Sequence, residues 1–207
     1  MLQQFIQDLQ SLGLLDWVVT LTALIYVVLS ARNNPLCWVF GIISCALWAY
    51  ASYAYYDLYA DALLQVFYVV MGFVGLYNWQ NGRAKQEDTL DSPLPETKSL
   101  PINRASVQQH VIYITIGLTS GLLLGYAFKD TAAAATYYDA LTTSFSIIAT
   151  IMLVRRNIEN WLYWIIIDLA YAGLYYSRGA ILFAVLMIIY VVIAFFAYWH
   201  WRRLMTT

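Results

Sequence analysis

A hydrophobic segment in the middle of this chain is repeated near its end. Residues 68–79 read YVVMGFVGLYNW, and residues 190–201, which begin 122 positions later, read YVVIAFFAYWHW. A second similar pair, WVFGII at 38–43 and WLYWII at 161–166, comes in the same order at nearly the same offset. Two ordered matches indicate an internal duplication. Duplicated hydrophobic units are typical of membrane transporters that hold a substrate between their halves.

The composition predicts an integral membrane protein. Hydrophobic residues make up 62% of the chain and charged residues 11%, whereas about a quarter of a soluble domain is charged. The net charge of −1 indicates no nucleic-acid partner. We expect the 207 residues to form a single multi-pass domain with the lipid bilayer as its surroundings.

Seven segments are long and apolar enough to cross a bilayer, which takes about 20 residues. They are residues 14–31, 35–54, 60–80, 108–128, 137–154, 159–177 and 180–201. We therefore expect an interfacial helix at 1–13, a first repeat at 14–80, a polar linker at 81–107, a linker helix at 108–128 and a second repeat at 137–201.

The basic residues predict the orientation. One side of the membrane would receive nine Lys or Arg and the other only Lys129 and Arg178, which places the amino terminus outside and the linker in the cytoplasm. Because matching spans are four apart, the repeats would be parallel, joined by an inverting helix. This arrangement of three, one and three helices is that of SWEET-type sugar transporters.

Asp168 is the strongest candidate functional residue, since it lies near the middle of its predicted span. A carboxylate at that depth costs about 2.5–3.5 kcal/mol on insertion scales. Asn160, Trp164 and Tyr171 share its helix face by spacing, and an aromatic and acidic face suits a cationic ligand. The alternatives are that Asp168 is protonated and bonds a neighbouring helix, and that Asn160 lies at the membrane surface.

The first repeat offers Gln65, with Tyr68 one turn further along and Trp48 in the preceding span. A buried amide needs a partner, which would be either another helix or a substrate. Asp57, Asp61, Asp130 and Asp139 are predicted at the outer ends of spans, where we expect them to be solvated.

Several function classes lack the residues they need. The chain has no glycine-rich nucleotide loop, no lysine within a span for a Schiff base, and no paired intramembrane carboxylates. Cys37 and Cys45 alone make no metal site. We therefore predict no catalytic residue, no metal and no cofactor.

Over nearly its whole length the chain resembles the PnuC family of bacterial vitamin transporters. The resemblance is densest in YADALLQVF at 59–67 and in SIIAT at 146–150 followed by Arg155, Arg156 and ENWLYW at 159–164. It implies the parallel fold, a homotrimer in the bacterial inner membrane, and uptake by facilitated diffusion with intracellular trapping by phosphorylation.

Nicotinamide riboside carriers of this family tend to have Asn at the position of Asp168, and Asn and Trp at those of Gly72 and Leu76. These departures predict thiamine as the substrate, with nicotinamide riboside as the alternative. The predicted contacts are Asp168, Trp164, Asn160, Gln65, Tyr68, Trp48 and Tyr171. A receptor or scaffold that binds a ligand without transporting it is the remaining alternative from another class.

Overall fold

The computed structural model describes residues 6, 9, 10, 12–55, 59–88, 101–129 and 136–206. This part of the chain contains seven helices: α1 (Leu14–Ala31), α2 (Cys37–Ala54), α3 (Tyr59–Asp88), α4 (Val107–Ala127), α5 (Thr136–Val154), α6 (Asn160–Ser177) and α7 (Ile181–Leu204). All seven predicted segments are thus helical, and the all-α class is confirmed. Most of the predicted interfacial helix at 1–13, and linker residues 89–100, lie outside the described residues.

Six of these seven helices are long and apolar enough to cross a membrane, as judged by length and composition over the described residues. The exception is α6. It has the length of α1, 18 residues, but Asn160, Asp168 and several tyrosines lower its hydropathy. The helix that falls short of this criterion is therefore the one that carries four of the seven predicted site residues.

Helix α3 continues to Asp88, eight residues beyond the predicted end of its span at residue 80. Hydropathy ends the span because Arg83, Lys85, Glu87 and Asp88 are charged. The same stretch is rich in good helix formers, so the helix extends past the apolar part. The first eight residues of the predicted 81–107 linker are therefore helical.

The chain divides into two compact units, Met1–Ile102 with Trp199–Thr207, and Asn103–Tyr198. In the first unit α2 packs closely on α3, because Gly72 and Gly75 leave room for Ile42 and Trp38. A Cβ at Gly75 would lie 2.3 Å from the Trp38 ring. The Ser44 hydroxyl also donates a 3.1 Å hydrogen bond to the Val19 carbonyl, which joins α2 to α1.

A tryptophan cluster fixes the end of α1 in the same unit. Trp79 lies 5.5 Å from Trp38 and 6.1 Å from Trp201 between ring centroids. The Trp201 indole donates to the carbonyls of Ser30 and Ala31 at 3.3 and 3.0 Å. Carbonyls in the last turn of a helix have no partner within it, so Trp201 supplies one.

In the second unit, α4 packs on α5 through three buried glycines spaced by four, Gly117, Gly121 and Gly125. They face Phe145, Leu141 and Tyr137 of α5, respectively. Small residues at this spacing allow membrane helices to approach closely. Helix α5 is joined to α6 by a hydrogen bond from the Tyr138 hydroxyl to the Ala170 carbonyl.

The turn between α1 and α2 and the turn between α5 and α6 have the same backbone. In the first turn, the N–H groups of residues 32–34 and 37–40 each donate a backbone hydrogen bond. The same seven bonds occur in the second turn, where each donor and each acceptor lies 123 residues later. The N–H of Asn34 donates to Leu29 at 3.0 Å, for example, as that of Asn157 does to Met152 at 2.9 Å. Asn33 and Arg156 have φ of 53° and 54°, a region that non-glycine residues seldom occupy.

This agreement gives the duplication a register. A shift of 123 residues aligns Trp38 with Trp161, as the sequence predicts, and pairs α1 and α2 with α5 and α6. The parallel relation of the repeats and the side on which the linker lies stay predictions.

Candidate functional site

Helix α6 carries four of the seven predicted site residues on one face. Asn160 is its first residue and Asp168 the ninth of 18, so Asp168 lies at mid-helix as predicted. Asn160 is fully buried and Asp168 is 7% exposed, whereas Trp164 and Tyr171 are half-buried. The continuous helix places Asn160, Trp164, Asp168 and Tyr171 along one stripe.

The Asp168 carboxylate has no hydrogen-bond or ion-pair partner within the described part of the chain. A carboxylate buried without a partner is costly, and the cost falls when a cation or a donor binds it. The alternative in which Asp168 bonds a neighbouring helix requires a partner that these residues do not provide. The arrangement therefore favours a ligand-binding role for Asp168.

The Asn160 carboxamide has a fixed orientation. Its Nδ2 donates a 2.7 Å hydrogen bond to the Asn157 carbonyl. Its Oδ1 is buried and has no hydrogen-bond partner among the described residues. Asn160 therefore presents a hydrogen-bond acceptor. Its complete burial argues against the alternative that it lies at the membrane surface.

The aromatic residues of α6 differ in what they contact. Tyr171 stacks on Tyr175, with ring centroids 6.0 Å apart and planes at 20°, and Tyr175 in turn contacts Phe183 at 5.6 Å. Tyr171 is thus part of an aromatic row within its own unit. Trp164 remains the aromatic residue of the stripe that is best suited to a ligand ring.

In the first unit, Gln65 belongs to a small polar cluster. Its Nε2 lies 3.5 Å from Asp61 Oδ1, a weak hydrogen bond, while the fully buried Ser52 donates a 2.7 Å bond to Asp61 Oδ2. The expectation that Asp61 is simply solvated is therefore wrong. Trp48 and Tyr68 are half-buried elsewhere in this unit.

Sequence reasoning missed a ladder of hydroxyls on α5. Thr142, Ser146 and Thr150 are all buried, and each donates to the carbonyl four residues earlier, at 2.9, 2.8 and 2.8 Å. Their spacing of four within an apolar span is a signal that could have identified them.

A strap formed by residues 103–105 lies over the turn between α5 and α6. Asn103 forms a bridge with Asn157, with hydrogen bonds of 2.9 and 3.0 Å to Arg156 and Ile158. The Glu159 carboxylate accepts a 3.0 Å bond from the Ala105 N–H. His110 at the start of α4 also stacks on Tyr163 and bonds its hydroxyl at 3.0 Å. The start of α6 is therefore held on several sides.

The stripe has a counterpart in the first repeat. The 123-residue shift aligns Asn160, Trp164, Asp168 and Tyr171 with Cys37, Gly41, Cys45 and Trp48. The Asn160 carboxamide, the Asp168 carboxylate and the Trp164 ring therefore occur in the second repeat and not at the matching positions of the first. In the described residues, no three His, Cys, Asp or Glu side chains lie close enough together to hold a metal.

The model of the nicotinamide mononucleotide transporter family matches residues 13–203. The chain belongs to this family. It is 24% identical over 194 residues to the nicotinamide riboside transporter PnuC of Neisseria mucosa, covering 90% of this chain and 71% of that one. It is also 25% identical over 188 residues to the nicotinamide riboside transporter PnuC of Escherichia coli, and this match covers 81% of this chain and 76% of that one.

A solved structure of the vitamin B3 transporter PnuC has the same fold. Its TM-score is 0.70 at 23% identity, over 91% of this chain and 80% of that chain. The chain is thus a multi-pass membrane transporter of the PnuC vitamin family rather than an enzyme. The predicted preference for thiamine finds no support here, because the named relatives are nicotinamide riboside transporters.

Proposed function

We propose that this transporter carries nicotinamide riboside into the bacterial cell across the inner membrane. Relatives named for that substrate are similar to it over 81–90% of its length. The observation that carries the proposal is Asp168, a buried carboxylate at the middle of α6 without a protein partner among the described residues. The fixed positive charge of the nicotinamide ring complements a carboxylate in such surroundings.

Each residue of the α6 stripe has a proposed role. Asp168 pairs with the ring cation, Trp164 stacks on the ring face, and the Asn160 carbonyl oxygen accepts a hydrogen bond. Tyr171 borders the stripe. In the first unit, Gln65 supplies a polar contact, and Trp48 and Tyr68 supply aromatic ones.

Thiamine is the second candidate, since it also carries a ring cation. It is favoured by Asp168 itself, because nicotinamide riboside carriers tend to have Asn there. It is also favoured by the packing at Gly72, where those carriers tend to have Asn. A Cβ at Gly72 would lie 2.5 Å from Cγ1 of Ile42, so α2 and α3 are too close to admit a larger side chain without shifting.

The proposed transport mode is facilitated diffusion by alternating access, with phosphorylation inside the cell trapping the vitamin. Coupling to an ion gradient requires a second site that senses the substrate. Asp168 is the one deep ionisable group of the predicted spans, and the substrate occupies it. A homotrimer remains part of the proposal through the family resemblance.

Calorimetric titration of the purified protein tests the substrate. Nicotinamide riboside, thiamine and riboflavin are titrated in turn, the last as an uncharged vitamin that a carboxylate does not favour. The proposal expects nicotinamide riboside to bind more tightly than thiamine, and riboflavin not to bind. Tighter binding of thiamine would transfer the assignment to the second candidate, and binding of neither cation would contradict both.

A further inference from the structure

Asn160 and Cys37 occupy the same position of the same turn in the two repeats. Both side chains are completely buried. The N–H of Cys37 donates to Asn34 at 3.0 Å, and that of Asn160 donates to Asn157 at 3.1 Å. Because the turn forms around a thiol in one repeat, its backbone does not require a carboxamide in the other.

The Asn160 carboxamide nevertheless has a defined orientation. The 2.7 Å bond from Nδ2 to the Asn157 carbonyl assigns the nitrogen to the protein. The Oδ1 is left buried, with no hydrogen-bond partner in the part of the chain that the structure describes. A buried acceptor without a donor loses its hydration and gains nothing in return, so such an atom calls for an explanation.

Two other oxygens of the same turn already accept hydrogen bonds. The Asn157 carbonyl is already occupied by the backbone and side-chain nitrogens of Asn160, and Glu159 is an acceptor for Ala105. One helical turn along the stripe comes Trp164, and one turn further Asp168. A ligand group that contacts Oδ1 must itself donate a hydrogen, because a carboxamide oxygen can only accept one, and a carboxylate oxygen placed against it would be repelled.

We propose that Asn160 is a specificity-determining residue whose Oδ1 accepts a hydrogen bond from an amino or amide group of the transported vitamin. The transporter consequently takes the amide form of a pyridine nucleoside and discriminates against the carboxylate form of the same nucleoside. This inference rests on the proposed function and deepens it.

The test compares nicotinamide riboside with nicotinic acid riboside, which differs only in carrying a carboxylate for the amide. Selectivity is the ratio of the two dissociation constants, measured by calorimetry. Asn160→Cys installs the residue that the first repeat has at this position, and Asn160→Ala is the second variant. Cys37→Ala is the matched control, because it perturbs the same turn in the other repeat.

The proposal expects both Asn160 variants to fold and to lose selectivity by about fivefold or more, the effect of one hydrogen bond. The control keeps the wild-type ratio. Wild-type selectivity in the folded variants would overturn the proposal, as would an equal change in Cys37→Ala. Failure of both variants to fold would also overturn it, because the side chain would then be structural.

The substrate assignment is read separately, from the wild-type protein. If it binds thiamine and not nicotinamide riboside, the same ratio is measured between thiamine and its analogue with an oxo group in place of the pyrimidine amino group. Loss of that selectivity in the Asn160 variants supports the role of Oδ1, and its retention contradicts it. If the wild type binds neither vitamin, the proposed function and this inference fall together.

Discussion

The turn between α1 and α2 and the turn between α5 and α6 share a backbone but not a chemistry. Both contain a residue with φ near 53–54° and the same seven backbone hydrogen bonds. In the first turn the positions after it hold Pro35, Leu36 and Cys37, whereas the second holds Ile158, Glu159 and Asn160. The duplication has preserved the scaffold, and at these three positions polar side chains occur in the second copy alone.

The helices that follow the turns differ in the same way. In α2 the stripe is Cys37, Gly41 and Cys45, and a Cβ at Gly41 would lie 2.9 Å from the Tyr26 ring. That face is therefore closed by packing within its own unit. In α6 the corresponding stripe presents an amide, an indole and a carboxylate.

Differences between the two repeats distinguish residues that the fold requires from residues that serve ligand binding. A residue that the first repeat replaces by Cys or Gly without changing the backbone is not needed for the fold. Substituting such a residue by its counterpart is therefore a conservative test of function, because the molecule already contains the replacement in the same local structure.

The largest effect is expected from Asp168→Cys, which installs the counterpart Cys45. Vitamin binding should weaken about 10-fold to 150-fold, the equivalent of the roughly 1.5–3 kcal/mol of a charged hydrogen bond. Folding should be retained, since α2 accommodates a thiol at the matching position. Calorimetry gives the affinity and thermal unfolding verifies the fold.

Two further variants show which property of Asp168 is responsible for the loss of binding. Asp168→Asn keeps the shape and removes the charge, so it should weaken binding nearly as much. Gln65→Ala, which removes a neutral amide, should cost about fivefold. Wild-type affinity in Asp168→Asn would mean that the carboxylate is not the cation contact, and that the difference between the repeats has another origin.

A smaller effect is expected from Trp164→Ala. Removing the indole eliminates a cation–π contact worth up to about 2 kcal/mol when desolvated, which corresponds to roughly a thirtyfold loss of affinity. Trp164→Phe retains a ring and should recover part of the loss. An equal loss in the two variants would exclude stacking on the ring and assign Trp164 to packing.

The smallest effect is expected from Glu159→Leu, which installs the counterpart Leu36. The hydrogen bond from the Ala105 N–H to the carboxylate is lost, and the free energy of unfolding should fall by about 1 kcal/mol. Glu159→Gln keeps an acceptor and should behave like wild type in thermal unfolding. If the Leu variant is as stable as wild type, the strap is not held by Glu159.

The sequence predicted the positions of the seven helices well because a long apolar run has few alternatives to a helix. It also located Asp168 at mid-helix, since that follows from counting along the run. It could not reveal the two αL residues, Asn33 and Arg156, because no glycine marks either turn. The bond from Ser52 to Asp61 was equally invisible, since it joins two helices through tertiary contact.

The end of α3 and the substrate show two further limits. Hydropathy detects where a helix leaves the apolar phase, whereas hydrogen bonding continues the helix to Asp88. A single carboxylate indicates a cation without identifying it, because thiamine and nicotinamide riboside both carry a ring cation. The names of the relatives, rather than the residues, shift the proposal to nicotinamide riboside.

The most direct test of the account is uptake of labelled nicotinamide riboside into proteoliposomes containing wild type or Asp168→Cys. Wild type should equilibrate the vitamin across the membrane without accumulating it, with or without a proton or sodium gradient. Asp168→Cys should show little uptake above empty liposomes at low substrate concentration. Binding without uptake in wild type would identify a receptor, gradient-driven accumulation would identify a coupled transporter, and full uptake by Asp168→Cys would contradict the role of the α6 stripe.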